Sequence, residues 1–386
     1  MTTVARLAPF ATTIFAEMSQ LAVEHDAINL GQGFPDTDGP QSMLDAARAA
    51  IADGQNQYPP GPGIPALRQA VADHQSRRLG IDYDPDAEIL ITVGATEAIA
   101  AAVVGLVEPG HEVVLIEPFY DAYAAATAMA GAFRSTVPLV ADGDGFVLDR
   151  DALATTITDA TAMVIVNSPH NPTGTVLSHD DLAAIAEACI RHDVIVLSDE
   201  VYEHLVFDGR SHATIAALPG MAERTLRVSS AAKTFNVTGW KVGWISGPAR
   251  LVAAARTAKQ FMSYVGSGPF QPAIAHALNH EMDWVGASCA ALEGKRDLLS
   301  AALREVGFDV HRSEGTFFVC ADPRPLGYSD GEQLCRDLPA RIGVAAVPVS
   351  AFVDRRENWS HLVRFAFAKR DEVLVEGAER LRALRH

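Results

Sequence analysis

Four cysteines stand in 386 residues, at Cys189, Cys289, Cys320 and Cys335, with no C-x-x-C pair and no histidine at metal-ligand spacing. That scarcity excludes a disulfide framework and a zinc-finger-like site, and predicts buried thiols of a reducing, cytoplasmic compartment with no bound metal. No apolar run approaches the ~20 residues that a membrane span needs. The first residues, Met1 to Thr13, lack a basic stretch followed by an apolar one, so no signal peptide is expected. Basic charge is short as well: the formal net charge is −17, which disfavours nucleic acid and anionic membrane surfaces as partners. Repeats, low-complexity tracts and obvious flexible linkers are absent. Lysine is the scarcest charged residue, with only Lys233, Lys241, Lys259, Lys295 and Lys369 against many arginines.

What is present is a chain that is 48% hydrophobic, with ample core for two or three domains at roughly 150 residues each. The middle of the chain alternates strand and helix, which predicts an α/β fold with a mostly parallel central sheet and helices on both faces. A short amphipathic helix is expected from Thr12 to Glu24, carrying Ile14, Phe15, Met18 and Leu21 on one side. Strands are expected at Glu88–Val93, Val113–Ile116, Met163–Val166, Val194 onward and Thr225–Val228. Helices are expected at Glu97–Leu106, Asp180–His192 and Leu251–Phe261. A long helix near Trp284–Val306 leads into a smaller C-terminal α/β unit. Its strands fall near Phe317–Ala321, Val344–Pro348 and Leu362–Phe367, and its last helix begins near Asp371. The run 266–270 reads as a flexible loop at a pocket or an interface. The expected division is 1–44 as an N-terminal arm with part of the small domain, 45–285 as the large domain, and 286–386 as the small one.

Two of the five lysines share one segment, Ser229-Ser230-Ala231-Ala232-Lys233-Thr234-Phe235-Asn236-Val237-Thr238-Gly239-Trp240-Lys241. A lysine that must form an imine belongs in such a partly buried loop, because desolvation lowers its pKa and yields a usable amine. Upstream, Asn167-Ser168-Pro169-His170-Asn171-Pro172-Thr173-Gly174 fixes its backbone with two prolines, so that Asn171 can offer its amide to a ligand oxygen. Asp199 ends a hydrophobic strand, where open α/β sheets bind ligands, and a carboxylate there costs desolvation unless it meets a cation. Gly94-Ala95-Thr96 is expected to turn into a helix and to present unpaired N–H groups suited to a phosphate. Many such turns look alike. In Glu117-Pro118-Phe119-Tyr120-Asp121-Ala122-Tyr123 an aromatic can stack on a flat ring or simply pack in the core. Arg364, alone in a strand of alternating character, is either a surface ion-pair partner or a planar fork for a carboxylate.

The spacing S-x-x-K-x-x-x-x-x-G-x-K from Ser230 to Lys241 resembles the cofactor-lysine segment of the fold type I, pyridoxal-phosphate-dependent class I and II aminotransferases. With N-x-P-H-N-P-T-G, Asp199 to Tyr202 and Gly94 to Thr96 in the family's order, the resemblance covers nearly the whole chain. It implies pyridoxal 5'-phosphate as cofactor. Lys233 would form the Schiff base, and Ala95, Thr96, Ser230 and Lys241 would hold the phosphate. Asp199 would hold the ring nitrogen, Asn171 and Tyr202 the phenolic oxygen, and Tyr120 the ring face. Tyr58, in Asn56-Gln57-Tyr58-Pro59-Pro60-Gly61, would reach the phosphate of the neighbouring subunit of a homodimer with shared active sites; local packing also accounts for such a tyrosine. Arg364 and Gly33, the latter in Asn29-Leu30-Gly31-Gln32-Gly33-Phe34-Pro35, would meet the substrate carboxylate together with Asn171. A lysine at position 241, where many class I members have arginine, is similar to the kynurenine/glutamine branch.

The runs Gln57–Gly63, Val93–Ala100 and Cys320–Tyr328 look like those of actinobacterial N-succinyldiaminopimelate aminotransferases. This implies transfer between N-succinyl-LL-2,6-diaminopimelate and 2-oxoglutarate or glutamate, in lysine and diaminopimelate biosynthesis, with distal contacts from donors such as Ser267. The same scaffold hosts kynurenine, glutamine and methionine aminotransferases and cysteine-S-conjugate β-lyases. A pyridoxal-phosphate-binding transcription regulator would need a basic N-terminal helix-turn-helix domain, for which Met1 to Asn29 is too short.

Overall fold

The structure is a computed structural model that describes residues 3–11 and 13–385. An eight-stranded sheet runs through it in the order Ile89–Val93, Val242–Ser246, Thr225–Ser230, Ile195–Asp199, Thr161–Asn167, Glu112–Glu117, Phe133–Asp142 and Gly145–Leu148. The strands from Thr225–Ser230 through Phe133–Asp142 are mutually parallel, and all but Thr225–Ser230 are preceded by an α-helix. Val242–Ser246 is antiparallel to both its neighbours, because only a short loop separates it from Thr225–Ser230.

The inner parallel strands Glu112–Glu117, Thr161–Asn167 and Ile195–Asp199 read as apolar runs because both of their faces are covered. Alternate residues divide between two cores, as the two-residue period of a strand requires. Val114, Ile116, Val164, Val166 and Val196 pack with Leu182 and Ile185 of the helix His179–Arg191. Val113, Leu115, Met163, Ile165 and Leu197 pack on the other face with Ala98, Ile99, Val103, Leu251 and Val252. Each such side chain contributes roughly 1.5–3 kcal/mol by leaving water, and an aspartate at Leu197 would open this layer directly behind Asp199.

A second sheet, antiparallel throughout, orders Asp309–Val310, Phe318–Asp322, Val363–Ala366 and Val347–Pro348. The helices Met282–Val306, Gly331–Ile342 and Asp371–Leu381 contribute Leu299, Leu303, Leu334, Leu338, Leu374 and Leu381 to its core. Met18 and Leu30 join that same core, and Ile28–Asn29 pairs in parallel with Val344–Ala345.

Four local expectations change. The first helix is Ile14–Glu24, capped by the Thr13 side chain; Thr12 lies outside the described residues. The turn at Gly94–Thr96 is already the first turn of a helix, Gly94–Leu106. The strand expected across Val344–Pro348 breaks at Ala346, whose carbonyl carbon would lie 3.0 Å from a Cβ at Gly31, and its halves join different sheets. The loop before the helix Phe270–His280 is held in place. Ser267 Oγ donates to Trp240 O at 2.9 Å, Gln271 Nε2 to Gly266 O at 2.7 Å, and Lys259 Nζ to Tyr264 O at 2.6 Å. The hairpin Phe133–Asp142/Gly145–Leu148 was not expected, because its long strand is exposed at both ends and shows no clean alternation.

Candidate active site

The C-terminal ends of the parallel strands open on one cavity of about 360 Å³, the place where open α/β sheets put their ligands. Gly33, Ala95, Thr96, Tyr120, Asn171, Asp199, Tyr202, Ser230, Lys233, Lys241 and Arg364 all line it. These eleven sequence candidates thus share one cavity. Tyr58 does not: it is 81% exposed and packs edge-on against Tyr264, with ring centroids 5.6 Å apart.

Asp199 forms the acidic wall and is only 3% exposed. Its Oδ2 accepts from the Tyr123 hydroxyl at 2.6 Å and its Oδ1 from the Val201 N–H at 3.2 Å. Burial pushes its pKa up to about 6, with the two hydrogen bonds and the Lys233 charge pulling the other way. Register places Asn167 beside Asp199, and the Asn167 amide ties two strands' ends together. Its Nδ2 donates to Asp199 O at 2.9 Å, while its Oδ1 accepts from the Asn171 N–H at 2.8 Å.

The opposite end is basic. The helix Gly94–Leu106 points its N-terminus into the cavity, and Ser230 and Lys241 stand beside it. Gly94 has φ +73°, and a Cβ there would lie 3.1 Å from Lys241 Nζ, so the absence of a side chain lets the ammonium sit against the backbone. Lys233 rises from the one-turn helix Ala231–Thr234, and its Nζ donates to Gly33 O at 3.1 Å. The rings of Phe317 and Tyr202 lie 5.1 Å and 5.8 Å from that nitrogen. Burial, reinforced by the positive charges of Arg364 and Lys241, lowers its pKa to about 8.

Arg364 is 2% exposed and lies across the face of Phe318 at 3.9 Å and that of Phe352 at 4.7 Å. Its Nη1 donates to Asn171 Oδ1 at 2.8 Å and its Nη2 to Gly31 O at 2.9 Å, while the buried Nε has no partner among the described residues. Three of its five N–H groups therefore remain for a ligand. Burial lowers its pKa to about 10, and it stays charged at neutral pH.

Sequence reasoning missed Tyr123, Asn167, Asp121, Phe15 and Phe318, all on the cavity wall. Tyr123 had a readable signal, since it follows Tyr120 by three residues and a helix brings such positions to one side. Phe318 had none, because only the tertiary fold carries it beneath Arg364. Ser267, expected as a distal substrate donor, spends its single proton on the carbonyls of Trp240 and Lys241. Elsewhere among the described residues, His74, Glu203 and His204 place ligand atoms within 4.8 Å of one another. The guanidinium groups of Arg227 and Arg78 already face Glu203, at 3.5 Å and 4.0 Å, so this group is not short of positive charge.

This fold and this cavity carry a family signature along their length. The model of the class I and II aminotransferase family matches residues 25–381. A probable N-succinyldiaminopimelate aminotransferase DapC of Mycobacterium tuberculosis is 60% identical over 99% of this chain and 98% of its own. A methionine aminotransferase of Escherichia coli is 40% identical, over 98% and 97% respectively. The solved structure of N-succinyldiaminopimelate aminotransferase from Mycobacterium tuberculosis superposes with a TM-score of 0.98 at 60% identity, covering 99% of this chain and 100% of that one. The chain belongs to the class I and II aminotransferases, with the fold type I architecture. It is therefore an enzyme of the pyridoxal-phosphate-dependent transaminase class, and membership implies pyridoxal 5'-phosphate as its cofactor.

The residues fit that group. A buried carboxylate with a raised pKa calls for a cationic N–H, and a helix N-terminus beside a lysine and a serine calls for a phosphate. A lysine whose pKa is lowered suits covalent attachment.

Proposed function

We propose that this chain moves an amino group between N-succinyl-LL-2,6-diaminopimelate and 2-oxoglutarate, with glutamate as the donor in the biosynthetic direction. The observation that carries this reading is 60% identity over essentially the whole of both chains. The methionine and kynurenine transaminase relatives stand at 40% and below. The cavity that gathers Lys233, Asp199 and Arg364 supports the wider chemistry.

In this reading Lys241, Ser230, Ala95 and Thr96 would hold the phosphate, Asp199 the ring nitrogen, Asn171 and Tyr202 the phenolic oxygen, and Tyr120 the ring face. Lys233 would hold the reactive carbon until the substrate's amino group takes its place, which leaves the lysine amine free. When bound, the cofactor supplies an electron sink for the pair left behind as the substrate's α-proton departs. Arg364 binds the α-carboxylate through N–H groups not engaged with Asn171 and Gly31, and so orients the Cα–H bond. Lys233, with a pKa of about 8, has a usable neutral fraction near physiological pH and moves the α-proton as a general base and acid. Phe15 and Phe318, on the cavity wall, exclude water from the reacting face. A second 2-oxo acid then takes the amino group by the same steps in reverse.

We further propose a cytoplasmic homodimer whose active sites are shared through Tyr58. The exposure of Tyr58 (81%), whose ring meets Tyr264 edge-on, supports the shared site, and four free cysteines, three buried and Cys289 half-buried, support the reducing compartment. Among the described residues no helix is long and apolar enough to cross a membrane. The division 1–44, 45–285 and 286–386 accompanies this reading.

The test is kcat/KM for N-succinyl-LL-diaminopimelate against kynurenine, methionine and glutamine, with a β-elimination assay on a cysteine S-conjugate alongside. The succinylated substrate should win. Preference for another by about tenfold, roughly 1.4 kcal/mol of transition-state binding, would overturn the substrate and leave the transaminase standing.

A further inference from the structure

We infer that Tyr123 is a positioning residue that keeps Asp199 ionised and aimed at the cofactor ring by donating a hydrogen bond to its outer oxygen. The inference rests on the reading above, in which Asp199 holds the ring nitrogen. Tyr123 is 2% exposed, on the helix Asp121–Ala130, and its hydroxyl lies 2.6 Å from Asp199 Oδ2. The ring is fixed from the side by Tyr120, edge-on at 5.7 Å and 89°, so the hydroxyl has one place to point.

Asp199 needs such a donor because burial works against its charge. The other groups that face it are Glu200, which raises its pKa, and Lys233, which lowers it. The phenols of Tyr120 and Tyr202 are both held neutral by burial. Among the described residues, its other side-chain oxygen bond comes from the Val201 N–H at 3.2 Å. The phenol of Tyr123 is itself pushed well above its ordinary value by burial and by the neighbouring Asp199 charge, so it stays a donor throughout the working pH range. A hydrogen bond to the charged form of an acid lowers its pKa. Tyr123 and Asp199 are both buried, so solvent does not readily replace a lost hydroxyl.

The experiment measures the dissociation constant of pyridoxal 5'-phosphate from the full-length protein, by equilibrium dialysis across a pH series, for wild type, Tyr123→Phe and Asp199→Asn. Comparing Tyr123→Phe with wild type at one pH removes most of the shared Lys233 titration, whereas Asp199→Asn also deletes a charge that raises the Lys233 pKa and is read only for its overall affinity. In Tyr123→Phe the pH below which affinity falls should move up by roughly one to two units, with near wild-type affinity recovered in alkali. A loss of affinity equal at every pH, or no loss, overturns the inference. Asp199→Asn that binds as tightly as wild type would instead overturn the reading of Asp199 itself. Replacing Tyr123 with 3-fluorotyrosine, a stronger donor of nearly the same size, should move the midpoint down, and decides the matter alone where Tyr123→Phe does not fold; an unmoved midpoint counts against the inference.

Discussion

Replacing Arg364 with lysine keeps a positive charge in place and removes only the planar fork. Arg364 uses Nη1 on Asn171 Oδ1 and Nη2 on Gly31 O, so the proposed carboxylate takes its bonds from the remaining N–H groups. A lysine ammonium has three donors and cannot serve Asn171, Gly31 and both carboxylate oxygens at once. Losing one hydrogen bond to a charged group removes roughly 1.5–3 kcal/mol, which is about a 10- to 150-fold fall in kcat/KM. Every substrate carries an α-carboxylate, so amino-acid and 2-oxo-acid half-reactions should fall together. Single-turnover absorbance changes on each half-reaction, with the cofactor bound, read the two separately. Arg364→Ala should fall further and also lose stability, since Asn171 Oδ1 and Gly31 O are each left buried without a donor at about 1–3 kcal/mol apiece. A fall under about threefold, or one confined to a single half-reaction, would refute the assignment and leave Arg364 as a structural cation.

Lys233→Met should stabilise the cofactor-free protein at neutral pH. The folded pKa of about 8, against an ordinary lysine value of 10.5, means that the unfolded chain binds more protons between those values, and native stability rises with pH across that window. The gain from Lys233→Met should therefore be full below pH 8, up to about 3 kcal/mol before screening by water at this partly buried site, and should fade as pH rises to 10.5; thermal unfolding at several pH values reads it, and a gain that grows with pH would contradict it. The same lysine should carry the cofactor, so borohydride reduction and peptide mapping should find the pyridoxyl group on Lys233; finding it on Lys241 or Lys259 would displace the assignment. Mixing Tyr58→Phe with Lys233→Ala protomers should restore activity above either parent, because a hybrid dimer has one site with neither lesion; no recovery at any ratio would place Tyr58 outside the partner's site.

The sheet was legible because its strands are buried on both faces, so that Thr161–Asn167 and Ile195–Asp199 stand out as apolar runs ended by polar residues. Strand ends at those polar residues meet at the cavity by register alone: Asn167 opposes Asp199, and Asp199 opposes Val228. What the sequence hid depends on contacts between distant segments. Phe318 lies beneath the Arg364 guanidinium because their strands are neighbours in the second sheet, and nothing local to either residue says so. The break at Ala346 follows from the close approach of Gly31, more than three hundred residues away.

Those same contacts explain how the second sheet is tied to the first. The Asn167 side chain bonds Asp199 on one side and the Asn171 N–H on the other, and the Asn171 side chain accepts from Arg364. One short polar chain thus runs from the proposed ring-nitrogen partner to the proposed carboxylate partner. Every member of it is buried, where water cannot substitute for a missing link. Two asparagine side chains therefore link the Asp199 backbone carbonyl to the Arg364 guanidinium. Aspartate at position 167 would keep the acceptor but lose the donor to Asp199 O, and would set a second carboxylate beside the first. This favours the protonated state of Asp199, the one that cannot hold a cationic ring.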